Sequence, residues 1–449
     1  MDLNLYILTS NCARSLIDVD LFADHFFDAL SGNARGFGAP ELIVLSLQEI
    51  APIAYSFLGG SYLTPYFDAF VKAVTKATAK QWNSSYVNLI QDHTGMTALM
   101  IFARADIVDQ VAWIDTAHVG FGVQEMGNKG AVGARLGYVA NGDSSKTVDL
   151  TFVAAHLAPM EDALEQRNLD WQSIVERLVF SKQDTTSKKL EQSRSEESTA
   201  LLTEDSSQPS DTSRQDLFVP NAYLFLAGDL NYRTSNTSPL KEDVMRFPQR
   251  DVDRENPAHY SHLLKEDQLM REMRHGRCFH GLSEAPIDFP PTYKYSDTAC
   301  RVARHNLENG NSETEWIWSS HRWPSWCDRI LYLDSKSKIA EEGRVKAHVY
   351  DALPLFPHSD HRPVALAVSV PLNPSDGLDS NDMGPDAKAG VPFSIDPSWR
   401  SRRNAARRKE IVVGILAYLG LTWEGNGLLL ASTLGVLGAW VVLQSLWAA

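Results

Sequence analysis

At 449 residues the chain is long enough for one large domain or two ordinary ones. Its formal net charge of −14 argues against a general nucleic-acid binder, which needs clustered positive charge, but leaves room for a local cationic pocket. The four cysteines, Cys12, Cys278, Cys300 and Cys327, are widely spaced with no C-x-x-C pair, which argues against a zinc site or a dense disulfide framework and points to free thiols in a reducing compartment.

Residues 3–8 are apolar but broken by Asn4, without the basic flank and long core of a secretory signal, so they read as a first strand leading to Asn11. Helical spacing follows over 16–30. The short apolar run 42–47 stops on Gln48-Glu49, segments 98–102, 107–114 and 131–139 are strand-like, and 151–155 stops on His156. Helical spacing returns over 163–180. Residues 181–217 are dominated by Ser, Thr, Gln and charged residues, a composition that cannot offset the entropy of ordering, and are expected to be a disordered surface insertion. The run 223–228 then stops on Asp229 and Asn231, and a last strand spans 364–370. Several consecutive strands imply antiparallel pairing, which argues against a simple doubly wound parallel sheet. One α/β domain over 1–371, with a two-sheet core and helices on both outer faces, is expected.

Residues 372–410 are expected to be a flexible linker ending in a basic cluster, Arg402, Arg403, Arg407, Arg408 and Lys409. An apolar run at 411–423, the polar Glu424-Gly425-Asn426-Gly427 and a second run at 428–447 follow. The last holds 20 residues without a charge, enough to cross about 30 Å of hydrocarbon at about 1.5 Å per residue. Residues 411–447 therefore read as a membrane anchor whose main span is 428–447. A single span, with the basic cluster on the cytosolic side, is favoured over a hairpin that would carry Glu424 into the bilayer.

Groups placed just past buried strands gather at one sheet edge, so Asn11, Glu49, His156, Asp229 and Asn231 are candidates for one site. Asp229 and Asn231, two apart, share a face of an extended backbone. Hydrolysis of a phosphate monoester needs an in-line water, a group to orient or deprotonate it, and positive charge on the phosphoryl oxygens. Two late segments, Pro324-Ser325-Trp326-Cys327-Asp328-Arg329-Ile330-Leu331 and His358-Ser359-Asp360-His361-Arg362-Pro363-Val364, add carboxylates, imidazoles and guanidiniums. With Gly127-Asn128-Lys129-Gly130, Gly228-Asp229-Leu230-Asn231-Tyr232-Arg233 and Pro291-Thr292-Tyr293-Lys294-Tyr295, the motifs stand in register from about residue 3 to residue 370. The chain thereby resembles the inositol polyphosphate 5-phosphatase family of the endonuclease/exonuclease/phosphatase superfamily, and its tail resembles that of a tail-anchored fungal-type member.

The resemblance implies a four-layer α/β/β/α sandwich of two mixed β-sheets flanked by helices, followed here by a C-terminal transmembrane helix. It implies Mg²⁺ held by Glu49 and Asn11, with Asp360 supporting the metal or its waters, and Asp229 orienting and deprotonating the attacking water. Asn231 and His156 would bind the scissile phosphate, and Asp328 would fix the tautomer of His361. Lys129, Arg233, Lys294 and Arg329 would supply charge, with Tyr293 and Lys294 clamping a phosphate beside the one removed. Ser10, Ala154 and Ser320 depart from the family pattern, the last in that clamp. The expected activity is removal of the 5-phosphate of phosphatidylinositol 4,5-bisphosphate by a cytosolic domain on a membrane, expected to be the endoplasmic reticulum, with no nucleic-acid partner; the oligomeric state is not legible. Two alternatives stand. A sphingomyelinase or endonuclease would keep Glu49, Asp229, Asn231 and His361 without needing Lys129 or Tyr293-Lys294, and a catalytically dead protein could hold phosphoinositides at a membrane.

Overall fold

The computed structural model describes residues 2–31, 37–139, 147–182, 215–219, 222–333, 344–372 and 391–447. The insertion expected at 181–217 lies almost wholly outside the described residues, as do positions 373–390 of the expected linker.

Two mixed sheets form the core. The first holds β1 (Asp2–Asn11), β2 (Leu42–Gln48), β3 (Tyr86–Thr94), β4 (Thr97–Arg104), β12 (Lys346–Ala352) and β13 (Val364–Pro371), in the order β12-β13-β1-β2-β4-β3. The second holds β5 (Val111–Gly120), β6 (Gly130–Val139), β7 (Thr147–His156), β8 (Ser181–Lys182), β9 (Tyr223–Asp229), β10 (Ser283–Glu284) and β11 (Asp328–Leu333), in the order β10-β11-β9-β7-β6-β5-β8. Successive strand residues face opposite sides, so each sheet feeds two layers. Leu3, Leu5 and Ile7 of β1 meet Leu150, Phe152 and Ala154 of β7 in the core between the sheets. Tyr6 and Leu8 point outward, onto Phe22 of α1 (Val19–Asp24) and Phe67 and Phe70 of α3 (Thr64–Trp82), with α2 (Ile53–Leu58) preceding α3. Val153 and Leu226 on the other outer face pack with Trp171 and Ile174 of α4 (Leu164–Arg177). The short α5 (Tyr260–Leu264) leads to α6 (Gln268–Arg274), whose Leu269 joins the same outer cluster. This is the expected α/β/β/α sandwich.

Strand direction decides where the site lies. β1 and β2 are parallel, as are β7 and β9, so their C-terminal ends share an edge, while the antiparallel β13 and β11 bring their N-terminal ends to it. Register places His156 opposite Asp229, and Asp229 opposite Asp328. Ser46 ties the two sheets together below that edge, its hydroxyl donating to the Ala227 carbonyl at 2.7 Å.

Local departures from the sequence reading have local causes. Of the helical spacing at 16–30, only Val19–Asp24 is α-helical, with a 3₁₀ turn at Asp28–Leu30. The strand expected at 107–114 begins at Val111, because Ala105–Gln110 form a 3₁₀ helix. A helix not read from sequence, α7 (Asp297–Glu308), is capped by Ser296, whose hydroxyl accepts from Ala299 N at 3.2 Å. The largest departure is in the expected linker. The basic cluster and most of the first apolar run form one helix, α8 (Trp399–Leu421), docked on the domain. Extended Thr422 separates it from α9 (Trp423–Trp447), 25 residues long and apolar enough to cross a membrane, which starts five residues before the expected span.

Candidate active site

At the shared edge lies a cavity of about 630 Å³. It is lined by Asn11, Glu49, Lys129, His156, Asp229, Asn231, Arg233, Tyr293, Lys294, Asp360 and His361, which the sequence reading had placed in one site. Asp229 sits at the centre and is almost fully buried. Its Oδ2 accepts from Asn11 Nδ2 at 3.0 Å and lies 3.3 Å from His156 Nε2, while its Oδ1 accepts from the backbone N–H of Asn231 at 3.1 Å. Burial alone would raise the Asp229 carboxyl, but cationic His361, followed by His156, outweighs that and holds it well below the usual carboxylate range.

His361 follows the same logic with the opposite sign. Its Nδ1 donates to Asp328 Oδ2 at 2.9 Å, and Thr292 Oγ1 donates to the same oxygen at 2.7 Å. Burial opposes a charge on the ring; Asp328 foremost, then Asp229 and Asp360, overcomes this and pushes it up to about 9. Asp328 does not line the cavity: it stands behind the ring and fixes its orientation and charge, leaving the Nε2–H facing Asp229 at 3.9 Å.

His156 is buried and kept neutral by desolvation and by Lys129. Its Nε2 lies 2.7 Å from Lys129 Nζ as well as 3.3 Å from Asp229. One ring nitrogen cannot accept from the first and donate to the second at once, so this corner holds a proton on one side or the other. Burial also lowers the Lys129 ammonium, which lies 3.8 Å from Glu49. Arg233 stacks on the Tyr293 ring at 4.4 Å, and that ring meets His361 with centroids 4.5 Å apart. Lys294 is paired with Asp360.

Arg329 is a correction. The expectation gave it charge toward substrate, but neighbours on a strand point to opposite faces, and Asp328 takes the side facing His361. Arg329 is instead fully buried against Asp267 at 3.1 Å and Glu284. Asp267 also caps α6, accepting from Met270 N at 2.9 Å, so the guanidinium fastens β11 to a helix outside the site.

The sequence reading missed Arg14, whose Nε lies 3.1 Å from Glu49, and Arg301 and Arg304, which reach the cavity from α7. It also missed Ser359, whose hydroxyl donates to Asn11 O at 2.6 Å and accepts from His361 N at 3.1 Å. Arg14, three residues past Asn11, carried a usable signal. The α7 arginines did not, because that helix itself was not anticipated.

Among the described residues, the grouping of possible metal-ligand atoms found within 4.8 Å of one another is Asp229, Asp328 and His361. The contact of His361 with Asp328 and those of Asp229 with Asn11 and Asn231 mark that group as an internal network. Glu49, part-exposed at the cavity wall, and Asp360 offer hard carboxylate oxygens at the surface of the cleft. Such a donor set fits a divalent cation that keeps room for water and substrate.

The endonuclease/exonuclease/phosphatase family 2 profile matches residues 8–367. The chain belongs to that family. It is 30% identical over 361 residues to type II inositol polyphosphate 5-phosphatase 15 of Arabidopsis thaliana, an alignment covering 74% of this chain and 29% of the relative. It is 27% identical over 330 residues to polyphosphatidylinositol phosphatase INP53 of Saccharomyces cerevisiae, covering 73% and 23%. The chain thus spans under a third of the length of either. Among solved structures, the inositol polyphosphate 5-phosphatase domain of SPsynaptojanin, crystallised with inositol (1,4)-bisphosphate and calcium ion, matches with a TM-score of 0.56 at 22% identity, covering 82% of this chain and 84% of that one. That likeness bears on the fold of this family member.

Proposed function

We propose that the protein is a Mg²⁺-dependent phosphoinositide 5-phosphatase that converts phosphatidylinositol 4,5-bisphosphate to phosphatidylinositol 4-phosphate. The observation that carries this is the convergence on one cavity of Asp229, Asn231, His156, Lys129 and His361, the last backed by Asp328, in a chain whose relatives include a named inositol polyphosphate 5-phosphatase.

In this reading Asp229, held ionised, orients the attacking water and accepts its proton. His361, kept cationic by Asp328, donates to a phosphoryl oxygen, and Asn231 and Lys129 donate to the others. His156 shares a proton with Lys129 beside the same phosphate. Glu49, Asn11 and Asp360 would hold Mg²⁺, which supplies positive charge to the phosphoryl and leaving oxygens. Tyr293 and Lys294 are assigned to the neighbouring phosphate, with Lys294 leaving Asp360 for the ligand. Helix α9 anchors the enzyme to the membrane that holds its substrate, with the domain on the cytosolic face; the endoplasmic reticulum is the proposed location.

The test is turnover by the full chain in detergent micelles, with and without Mg²⁺, read as inorganic phosphate from phosphatidylinositol 4,5-bisphosphate, phosphocholine from sphingomyelin and shortened strands from single-stranded DNA. Turnover of the phosphoinositide alone, abolished by chelator and reduced at least about a hundredfold by Asp229→Ala, is expected. Cleavage of sphingomyelin or DNA would move the protein to another branch of the family, and binding without turnover would make it a phosphoinositide-holding protein.

A further inference from the structure

Helix α8 makes contacts that a tether does not need. Glu410 is buried, at 5% exposure, and its Oε1 accepts from the backbone N–H of Gly127 at 2.7 Å. Gly127 lies two residues before Lys129, whose ammonium reaches His156 in the cavity. The same loop meets α8 at two more points: Arg402 Nε donates to Glu125 at 3.1 Å and Lys409 Nζ to the Gln124 carbonyl at 3.4 Å. Gly127 has little freedom on its other side, since a Cβ there would lie 2.7 Å from Gly95 N, and its carbonyl accepts from Met96 N at 2.9 Å. The loop is wedged between the β3–β4 turn and α8.

The second tie runs to α2, the helix that follows Glu49. Glu410 Oε2 accepts from Arg407 Nη1 at 3.1 Å, and Arg407 donates to the carbonyls of Phe57 at 2.7 Å and Leu58 at 3.2 Å. Those carbonyls close the C-terminus of α2, where a helix leaves acceptors unpaired. Helix α2 begins four residues after Glu49. One turn further along α8, Gly414 lets the helices touch: a Cβ there would meet Phe57 Cβ at 3.0 Å and Leu58 N at 3.2 Å. A buried carboxylate is costly unless paired and hydrogen-bonded, and Glu410 is both.

We propose that α8 is a positioning element of the active site, with Glu410 the positioning residue that fixes the loop carrying Lys129. The helix that enters α9 after a single residue thereby couples the membrane-proximal segment to the phosphate-binding edge. The catalytic consequence rests on the reading of Lys129 as a phosphate-binding group; the positioning itself is observable without turnover.

The experiment uses the full chain in detergent micelles and compares Glu410→Ala, Glu410→Gln and Gly414→Leu with wild type. Amide exchange is followed over residues 121–130, and kcat and KM on a short-chain phosphatidylinositol 4,5-bisphosphate are measured per folded molecule. Gln keeps an oxygen for the Gly127 amide but turns its NH2 toward Arg407, so Glu410→Gln should keep exchange at Gly127 slower, and kcat/KM nearer wild type, than Glu410→Ala. Glu410→Ala should speed exchange at Gly127 and its neighbours and lower kcat/KM about tenfold, mainly through KM. Gly414→Leu pushes α8 off α2 without touching Glu410 and should reproduce that pattern, which keeps the test open if Glu410→Ala does not fold. Exchange and kcat/KM at wild-type values in Glu410→Ala or Gly414→Leu would overturn the proposal, as would a loss confined to melting temperature. Accelerated exchange with an inactive wild type would instead count against the assigned substrate.

Discussion

Asp229 and Asp328 lie opposite each other in adjacent strands, yet their carboxyls are driven apart in acidity, the first held down by His361 and His156 and the second raised by burial. That division lets one carboxylate face the cavity while the other stands behind the imidazole. Arg329, the neighbour of Asp328, belongs to stability. Arg329→Ala should cost about 3–5 kcal/mol by leaving Asp267 and Glu284 without a buried partner, while kcat per folded molecule stays near wild type. A large kcat loss without a change in melting would return Arg329 to the site. Asp170 gives a pH prediction. It is buried on α4, accepts from Ala158 N at 2.8 Å, and burial raises it to about 6. A carboxyl that is higher in the folded state than its unfolded value of about 3.9 gives stability that is complete below that value and is lost as pH rises through 6. Relative to Asp170→Asn, wild type should therefore lose on the order of 2 kcal/mol between pH 4 and pH 7 in urea titrations. A pH-independent difference would contradict it.

The strands that deliver the site were legible because each is a short β-rich run ending abruptly on a polar group: β2 on Gln48, β7 on His156, β9 on Asp229. Their gathering followed from topology alone. What pattern could not supply was orientation: Asp328 and Arg329 were read as one motif, and only the pleat separates them. Glu49 and Asn231 take left-handed backbone, with φ of 47° and 57°, which aims their side chains in a way no spacing reveals. Helix α8 was read as tether because its charged first half and apolar second half look like linker and anchor, whereas Glu410 and Gly414 make it a docking face. The polar insertion is bordered by residues that pair with each other, Phe180 N donating to Gln215 O at 3.1 Å. Deleting 183–214 should shift melting temperature and specific activity little, since a polar segment buries little and its ends already meet. A large destabilisation would show that it packs on the domain.

At the scale of the whole molecule, two sheets make an edge, the edge makes a cavity, and a helix leading to an apolar segment of 25 residues is fastened beside that cavity. For α9 spanning once, a glycosylation acceptor added after Ala449 should be modified in the lumen of cells while the domain stays open to protease from the cytosol; an unmodified tag on a membrane-bound protein would favour a hairpin. The chemistry has its own direct measurement. The full chain, supplied with phosphatidylinositol 4,5-bisphosphate and Mg²⁺ in ¹⁸O-labelled water, should yield phosphatidylinositol 4-phosphate and inorganic phosphate carrying one ¹⁸O atom, because water attacks phosphorus and the ring keeps its oxygen. Loss of a different phosphate, or ¹⁸O found in the lipid product, would contradict the assignment of this site to 5-phosphate hydrolysis.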